Sequence, residues 1–338
     1  GVGDRDYLQV QGWQSSVSGG VSGHSSIRGN SDDVQQTQGY YVLSGKALER
    51  NNEKLSELMR DTIHDVRFDE HDRIRELISQ RRARREQSVT GNGHALAMSA
   101  ASSGMCPVAS LGLRFNGLEG IRILKAVDDA NKEGAVAELA GKFGEIHRKL
   151  IAAPRQYMII GEQEKLDSLV NGFEKIWTAQ KAGESFRAFD TDRVDEAVKQ
   201  MWVTNTQVNF CARAYKTVPM DHPDAAPLSV LGGFLRNGFL HTAIREKGGA
   251  YGGGASHDTN IAAFRFYSYR DPRLDETLDD FDRAIEWMLS NKHEWRMVEE
   301  AILGVISSID KPGSPSGEAR QAFHNLCLLY TSDAADDL

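Results

Sequence analysis

The feature that most constrains the fold of this chain is an internal repeat with a spacing of about 224 residues. The segment Tyr40–Ser44 precedes a helical pattern and then Asp72–Ile74, and the segment Phe264–Ser268 precedes the same succession and then Arg296–Val298. A glycine-rich stretch comes before each copy. Because there are only two copies and their spacing is too long for a solenoid, the repeat predicts two tandem α+β domains of like topology.

The apolar pattern assigns elements to both domains. Helices are predicted where apolar residues recur at helical spacing, first in Leu55–Ile63 and most clearly in Leu166–Trp177. The stretch Gly12–Ser44 predicts extended strands joined by glycine turns, and Tyr157–Ile160 predicts a short buried strand. Alternation of apolar and polar residues over Val208–Ala214 predicts a half-buried strand.

A polar segment without periodicity, residues 179–195, separates the two domains. We place the boundary inside it, which gives a first domain of residues 1–181 and a second domain of residues 182–326. The last twelve residues, 327–338, do not continue the helical pattern before them and resemble the conceptual translation of a transposase-type sequencing adapter. They are predicted to be a non-native tail and are excluded from the fold.

Composition restricts the class of protein. Hydrophobic residues make up 40% of the 338 residues, as in soluble globular proteins, and no run approaches the roughly 18 apolar residues of a membrane span. The net charge of −8 and the lack of a recognised binding module argue against a nucleic-acid-binding protein. Cys106, Cys211 and Cys327 form no C-x-x-C pair, which favours reduced thiols over disulfides or a cysteine zinc site.

The segment Leu240–Ala255 contains the strongest candidates for functional residues. A predicted helix end delivers Arg245, and glycine residues then surround Tyr251. Those glycines are Gly248, Gly249, Gly252 and Gly253. The residues alone leave two interpretations open, a loop that contacts a ligand or a tight helix-to-strand turn. A phosphate-binding Walker loop is excluded because the sequence G-x-x-x-x-G-K-[ST] does not occur here.

The histidines give no metal site. No two of them have the spacing of zinc ligands, and the sequence H-x-x-E-H does not occur. The cluster Asp69–Asp72 is interpreted as a charged helix start, and His94 is predicted to occupy a turn. The basic run Arg81–Arg85 is predicted to be a solvated helix face with ion pairs to Glu76 and Glu86, the alternative being a positive patch that faces an acidic peptide.

The glycine segment and the stretch Phe264–Pro272 that follows it resemble the C-terminal half of the pitrilysin/insulinase superfamily, in its presequence-protease branch. The resemblance covers residues 1 to about 326. Four earlier segments are similar to the same branch: Asp4–Tyr7, Ser26–Gly29, Leu43–Ala47 and Thr90–Ala95.

This resemblance implies a zinc metalloendopeptidase for the intact parent, built from four related α+β domains in two halves that close around a peptide-degrading chamber. The N-terminal half would carry an H-x-x-E-H motif, whose histidines bind zinc together with a distal glutamate and whose own glutamate is the general base. The C-terminal half contributes an arginine and a tyrosine six residues apart, a spacing that Arg245 and Tyr251 match. Tyr251 would hydrogen-bond the substrate carbonyl as it becomes an oxyanion, and Arg245 would anchor the peptide backbone or a carboxylate.

The resemblance also implies that this chain is the third and fourth of those domains, each an antiparallel-rich sheet packed with helices, and both incomplete. It would bind no zinc, would be inactive alone and would have the N-terminal zinc-binding half of the same polypeptide as its partner. The substrates would be short unstructured peptides, including targeting peptides. The compartment would be a bacterial cytoplasm or a mitochondrial matrix.

Two other functions stay open from the sequence. The chain could belong to a degenerate family member that serves as an inactive structural or peptide-binding subunit, although retention of Arg245, Tyr251 and the glycines favours an active parent. It could also be a stand-alone peptide-binding module. An intact H-x-x-E-H motif upstream would select the enzyme.

Overall fold

The computed structural model describes residues 1–130, 133–177 and 187–330. Its α-helices are α1 Tyr7–Val17, α2 Asn52–His64, α3 His71–Ser88, α4 Gly93–Ser102, α5 Pro107–Phe115, α6 Leu118–Asp129, α7 Glu133–Ala152, α8 Leu166–Glu174, α9 Ala225–Leu235, α10 Asp275–Ser290, α11 Trp295–Ile309 and α12 Pro315–Tyr330. The strands are β1 Val21–Gly29, β2 Thr37–Gly45, β3 Ala212–Lys216, β4 Gly252–Asp258 and β5 Ala263–Tyr269. There are also 3-10 turns at Glu49–Asn51 and Gln163–Lys165 and a π-helix at Arg236–Lys247.

The predicted repeat is present as a repeated order of elements, which confirms the α+β class. In the first copy α1 is followed by the antiparallel hairpin β1–β2 and then by α2 and α3. In the second copy α9 and the π-helix are followed by the antiparallel hairpin β4–β5 and then by α10 and α11. The helix α2 begins at Asn52 and α10 at Asp275, and α3 begins at His71 and α11 at Trp295, so both pairs keep the spacing of about 224 residues.

The start of the first repeat differs from its prediction, because residues 7–17 are helical and not extended. A capping box begins α1: the Asp6 carboxylate accepts a hydrogen bond from Gln9 N–H at 2.8 Å, and Asp6 N–H donates to the Gln9 side chain at 3.0 Å. Such a box pairs N–H groups that a helix start otherwise leaves without partners. The strand prediction is right from Val21 onwards, where β1 pairs with β2.

The second repeat is built on a three-stranded antiparallel sheet with the strand order β3-β5-β4. Along β5, Phe264, Phe266 and Ser268 are buried, whereas Tyr267 and Tyr269 alternate with them and point to the other face. The buried face packs on α9, the π-helix and α10. The centre of this core consists of Leu235, Leu240, Ile244, Phe266 and Phe281.

Helices from the middle of the chain pack on the face of the sheet that carries Tyr267 and Tyr269. The helix α4 contacts both β3 and β5. Its first residue, Gly93, lies so close to Phe210 that an added Cβ would be 2.5 Å from the ring. A small second core joins α5 to the start of β5 and consists of Cys106, Ala109, Ile261 and Ala263.

Two strand predictions are wrong in part or in whole. The segment Tyr157–Ile160 forms no strand, and its Met158 and Ile160 side chains are 38% and 40% exposed. Tyr157 instead packs its ring against Phe173 of α8 at 5.0 Å, so side-chain contacts hold this segment without a neighbouring strand. In the second repeat β3 begins only at Ala212, because the residues before it pair with the chain only through isolated bridges.

His94 does not occupy a turn between elements, as the sequence predicts, but lies in the first turn of α4. The helix begins one residue earlier, at Gly93. The absence of a side chain on Gly93 lets the helix start against Phe210, and this close approach explains the glycine that had indicated a turn.

The basic run in α3 is only partly the solvated face that the sequence predicts. Arg82 pairs with Asp128 and Asp129 at the end of α6, at 2.9 and 2.6 Å, as well as with Glu86 of its own helix. Hydrogen bonds to these carboxylates raise the pKa of the Arg82 guanidinium. Arg85 donates to the loop before α6. The run therefore joins α3 to α6.

The charged segment before α3 is a helix start, as predicted, but without side-chain capping. Helix α3 begins at His71, and Glu70 makes no capping hydrogen bond. The Glu70 carboxylate pairs with the amino group of Gly1 at 2.7 Å and accepts a hydrogen bond from Tyr7 N–H at 3.2 Å. These contacts, the one with the amino group first, lower the pKa of Glu70.

The predicted boundary between residues 181 and 182 lies outside the described residues and stays a prediction. Helix α12 continues to Tyr330, into the segment that the sequence predicts to be a tail, since no glycine or proline interrupts residues 327–330. The rest of that segment, residues 331–338, also lies outside the described residues. No helix in the described ranges has the length and apolar character that crossing a bilayer requires.

Candidate functional site

A π-helix delivers Arg245 to the surface. Residues Arg236–Lys247 continue α9 with wider π-type winding, which usually occurs only as a single turn and is frequent at functional sites. Leu240 and Ile244 anchor this helix in the core of the second repeat. Arg245 follows Ile244 directly and is exposed in the last turn. The anchored face therefore fixes the helix while the guanidinium stays free to reach outwards.

A glycine turn ends the π-helix. Gly249 has φ +79°, in the left-handed region that favours glycine. Its N–H donates to the Arg245 carbonyl at 3.1 Å, and the Ala250 N–H donates to the Ile244 carbonyl at 3.1 Å. These bonds satisfy carbonyl groups that a helix end leaves without partners. The chain reverses here, so that Tyr251 returns towards Arg245.

Tyr251 is held by its backbone and exposes its side chain. Its N–H donates to the carbonyl of Tyr269 at 3.1 Å and to that of Arg270 at 3.3 Å. Its ring meets the Tyr269 ring edge-on at 5.6 Å and is 66% exposed. The Arg245 Cζ atom lies 6.0 Å from the centre of the Tyr251 ring. The structure thus brings together the two residues that the sequence singled out.

The four glycines near Tyr251 have different surroundings. An added Cβ on Gly248 would lie 1.9 Å from an Arg273 nitrogen, and one on Gly253 would lie 2.8 Å from the Ile244 side chain. Gly249 supplies the left-handed turn. A Cβ on Gly252 would meet nothing within 4 Å. Packing and backbone geometry therefore explain three of the glycines, and only Gly252 leaves open space beside Tyr251.

A buried ionic network, which the sequence interpretation missed, supports the turn. Arg273 donates to the Ala243 carbonyl of the π-helix at 3.3 Å and to the Asp280 carboxylate at 2.9 Å. Asp271 accepts from the Arg273 N–H at 2.9 Å and from the Thr277 hydroxyl at 2.7 Å. The sequence signal that could have found it is a pair of acidic residues next to the buried face of α10.

The described residues do not fit a zinc site. Across residues 1–130, 133–177 and 187–330, no group of three or more His, Cys, Asp or Glu side chains lies close enough to hold a metal ion. The surroundings of Arg245 and Tyr251 supply a guanidinium, a phenol and backbone N–H groups, which bind oxygen atoms of a ligand and not a cation. No metal-dependent step is therefore assigned to residues of this chain.

Two family models match the chain. One describes a region associated with subfamily C of the M16 peptidases and matches residues 1–127, and the other is described as PreP C-terminal domain and matches residues 199–336. A mitochondrial presequence protease of Danio rerio is 29% identical over 350 residues, which covers 96% of this chain and 34% of that protein. One of Yarrowia lipolytica is 28% identical over 330 residues, which covers 96% and 33%. This chain therefore spans about a third of the length of the curated relatives it matches.

Solved structures share the fold at low identity. The periplasmic protease PqqL from Escherichia coli has a TM-score of 0.56 and 16% identity, covering 96% of this chain and 34% of that one. A protease from Helicobacter pylori has a TM-score of 0.51 and 14% identity, covering 99% of this chain and 78% of that one. These likenesses confirm the pitrilysin-like fold that the sequence predicts.

Proposed function

This chain belongs to the presequence-protease branch of the M16 peptidases, within their C-terminal region, and from that premise we propose that it supplies the peptide-binding and oxyanion-stabilising side of a peptidase site. The observation that carries the proposal is the placement of Arg245 beside the exposed ring of Tyr251, both on one rigid turn. The intact peptidase would be the longer polypeptide whose C-terminal region this chain forms.

Tyr251 donates its hydroxyl proton in a hydrogen bond to the carbonyl oxygen of the peptide bond under attack. Negative charge develops on that oxygen as the carbonyl carbon becomes tetrahedral, so the bond strengthens towards the transition state. The two backbone hydrogen bonds of Tyr251 to Tyr269 and Arg270 support this role, because a donor that is already fixed needs little reorganisation. Removing one such donor typically costs about 100- to 1,000-fold in turnover.

Arg245 binds the peptide backbone or a carboxylate beside Tyr251. Its neighbour Glu246 is engaged by the Thr242 hydroxyl at 2.9 Å and by His241 at 3.3 Å. Among the described residues no carboxylate pairs with Arg245, so its fork of N–H donors is available for peptide oxygen atoms.

The catalytic metal and the general base belong to the N-terminal half of the intact peptidase, which is the partner of this region. The chain by itself is therefore inactive and has no stoichiometric zinc. Its substrates are short unstructured peptides, in a mitochondrial matrix or a bacterial cytoplasm. Zinc-dependent hydrolysis of such a peptide by the purified chain would refute this division of roles.

Peptide binding by the isolated chain tests the assignment of Arg245. A fluorescent unfolded peptide is titrated with the chain, and the dissociation constant is measured by anisotropy. Arg245→Ala is expected to weaken binding by about tenfold, the typical effect of losing a charge-assisted hydrogen bond of about 1.5 kcal/mol. Arg236→Ala is the matched control, an exposed arginine at the start of the same π-helix, and should bind like the unsubstituted chain. Equal binding by both variants would reject the role of Arg245.

A further inference from the structure

His94 reaches the Tyr251 site from outside the second repeat. Its helix, α4, packs on the sheet face that carries Tyr267 and Tyr269. The His94 ring meets Tyr269 edge-on, with ring centroids 4.9 Å apart and an angle of 74° between the planes. It also lies 5.6 Å from Tyr267. A residue far from Tyr251 in the sequence thus contacts the ring that adjoins it.

Tyr269 links His94 to Tyr251 in two ways. Its ring meets the Tyr251 ring edge-on at 5.6 Å and an angle of 84°. Its carbonyl accepts the Tyr251 N–H at 3.1 Å. Phe210 packs on the same tyrosine at 5.7 Å, so the ring has neighbours on several sides. A displacement of Tyr269 would therefore change both the backbone and the side-chain support of Tyr251.

Folding stability does not account for a histidine at position 94. Its Nδ1 atom is buried and has no hydrogen-bond partner in the described part of the chain, and an unpaired buried nitrogen is unfavourable. Burial also lowers the pKa of the imidazole, so the ring that contacts Tyr269 is neutral at pH 7. An apolar side chain would fill the same space without leaving a nitrogen unpaired. What His94 does provide is an edge-on contact with the tyrosine.

We propose that His94 is a positioning residue for Tyr251 and acts through Tyr269. Its imidazole fixes the Tyr269 ring, and Tyr269 in turn fixes the direction of the Tyr251 hydroxyl relative to the peptide carbonyl. The middle of the chain thereby contributes to a site whose peptide-binding residues all lie in the second repeat. This inference rests on the proposed function of Tyr251.

The test measures kcat and KM of the intact peptidase on an unfolded peptide. His94→Ala should lower kcat by about tenfold and change KM by less than about twofold, because the substrate still binds while the hydrogen-bond donor is misplaced. In a Tyr251→Phe background the same substitution should lower kcat by less than about twofold, because the group that His94 positions is already absent. Equal tenfold losses in both backgrounds would overturn the proposal.

Two further substitutions separate positioning from stability. His94→Phe retains an edge-on ring and should recover most of the kcat lost in His94→Ala, and His94→Gln replaces the alanine variant if that variant does not fold. The matched control is His293→Ala, since His293 is likewise packed between two aromatic rings, Phe234 and Trp287. It should lower the free energy of unfolding and leave kcat and KM unchanged.

The outcomes distinguish this inference from the function on which it rests. An unchanged kcat in Tyr251→Phe alone would reject the proposed function. A reduced kcat in Tyr251→Phe together with an unchanged kcat in His94→Ala would reject only the role of His94.

Discussion

The two helix-to-strand junctions of the repeat share their backbone architecture and differ in their chemistry. In the first junction Ser18–Gly20 lead from α1 into β1, and in the second Gly248–Tyr251 lead from the π-helix into β4. A glycine in the left-handed region turns the chain at each, Gly20 with φ +127° and Gly249 with φ +79°. The last turn of α1 has no basic residue, whereas the π-helix ends with Arg245 close to Tyr251. The turn belongs to the fold, and the side chains that flank it make the site.

The strands behind the two junctions also differ in burial. In β2 of the first hairpin Tyr41 is 47% exposed, whereas in β5 of the second hairpin Phe266 is 1% exposed. A site that must hold a donor within a fraction of an ångström needs a rigid support. The candidate site therefore lies at the junction whose sheet is packed into a core.

The largest expected effect separates the two sheets. Phe266→Ala removes a fully buried ring and should lower the free energy of unfolding by about 3–5 kcal/mol. Val42→Ala, at the corresponding position of the half-buried first hairpin, should cost less than about 1.5 kcal/mol. Urea unfolding of both variants measures the difference. Equal losses would contradict the view that only the second sheet is a packed support.

A smaller effect separates the two turns. An added Cβ at Gly248 would lie 1.9 Å from an Arg273 nitrogen and 2.5 Å from the Ile244 carbonyl oxygen, so Gly248→Ala should lower the free energy of unfolding by about 1–3 kcal/mol. At the matching position of the first turn, a Cβ on Gly19 would meet only the flexible Lys46 side chain, at 3.3 Å. Gly19→Ala should therefore cost less than about 0.5 kcal/mol in the same urea experiment. A larger loss for Gly19→Ala than for Gly248→Ala would reverse the comparison.

The smallest expected effect is a dependence on pH. Burial lowers the pKa of His94 in the folded state below the value of about 6.5 that it has in an unfolded chain. The unfolded chain then binds the proton more readily, so this contribution to stability is present above about pH 6.5 and is lost as the pH falls towards 5.5. His94→Phe should flatten the fall in unfolding free energy over that range. His24→Phe, on the exposed face of β1, should follow the unsubstituted chain, and identical slopes in all three proteins would contradict the expectation.

The sequence predicted what local patterns carry. The hairpin strand around Phe266 follows from alternation, and the spacing of Arg245 and Tyr251 follows from a contiguous segment, so both were recoverable. The helix α1 was missed because its capping box outweighs a glycine-rich composition that reads as strand and turn. The Asp280–Arg273 network and the His94–Tyr269 contact were missed because they join side chains from separate elements, and periodicity carries no information about such pairs.

The most direct test of the account is the turnover of the intact peptidase with Tyr251→Phe, which removes one hydroxyl and keeps the ring against Tyr269. We expect kcat on an unfolded peptide to fall by about 100-fold, with the zinc content and KM almost unchanged, because the lost hydrogen bond acts mainly in the transition state. A kcat equal to that of the unsubstituted enzyme would show that the second junction does not stabilise the oxyanion, and would contradict the central claim.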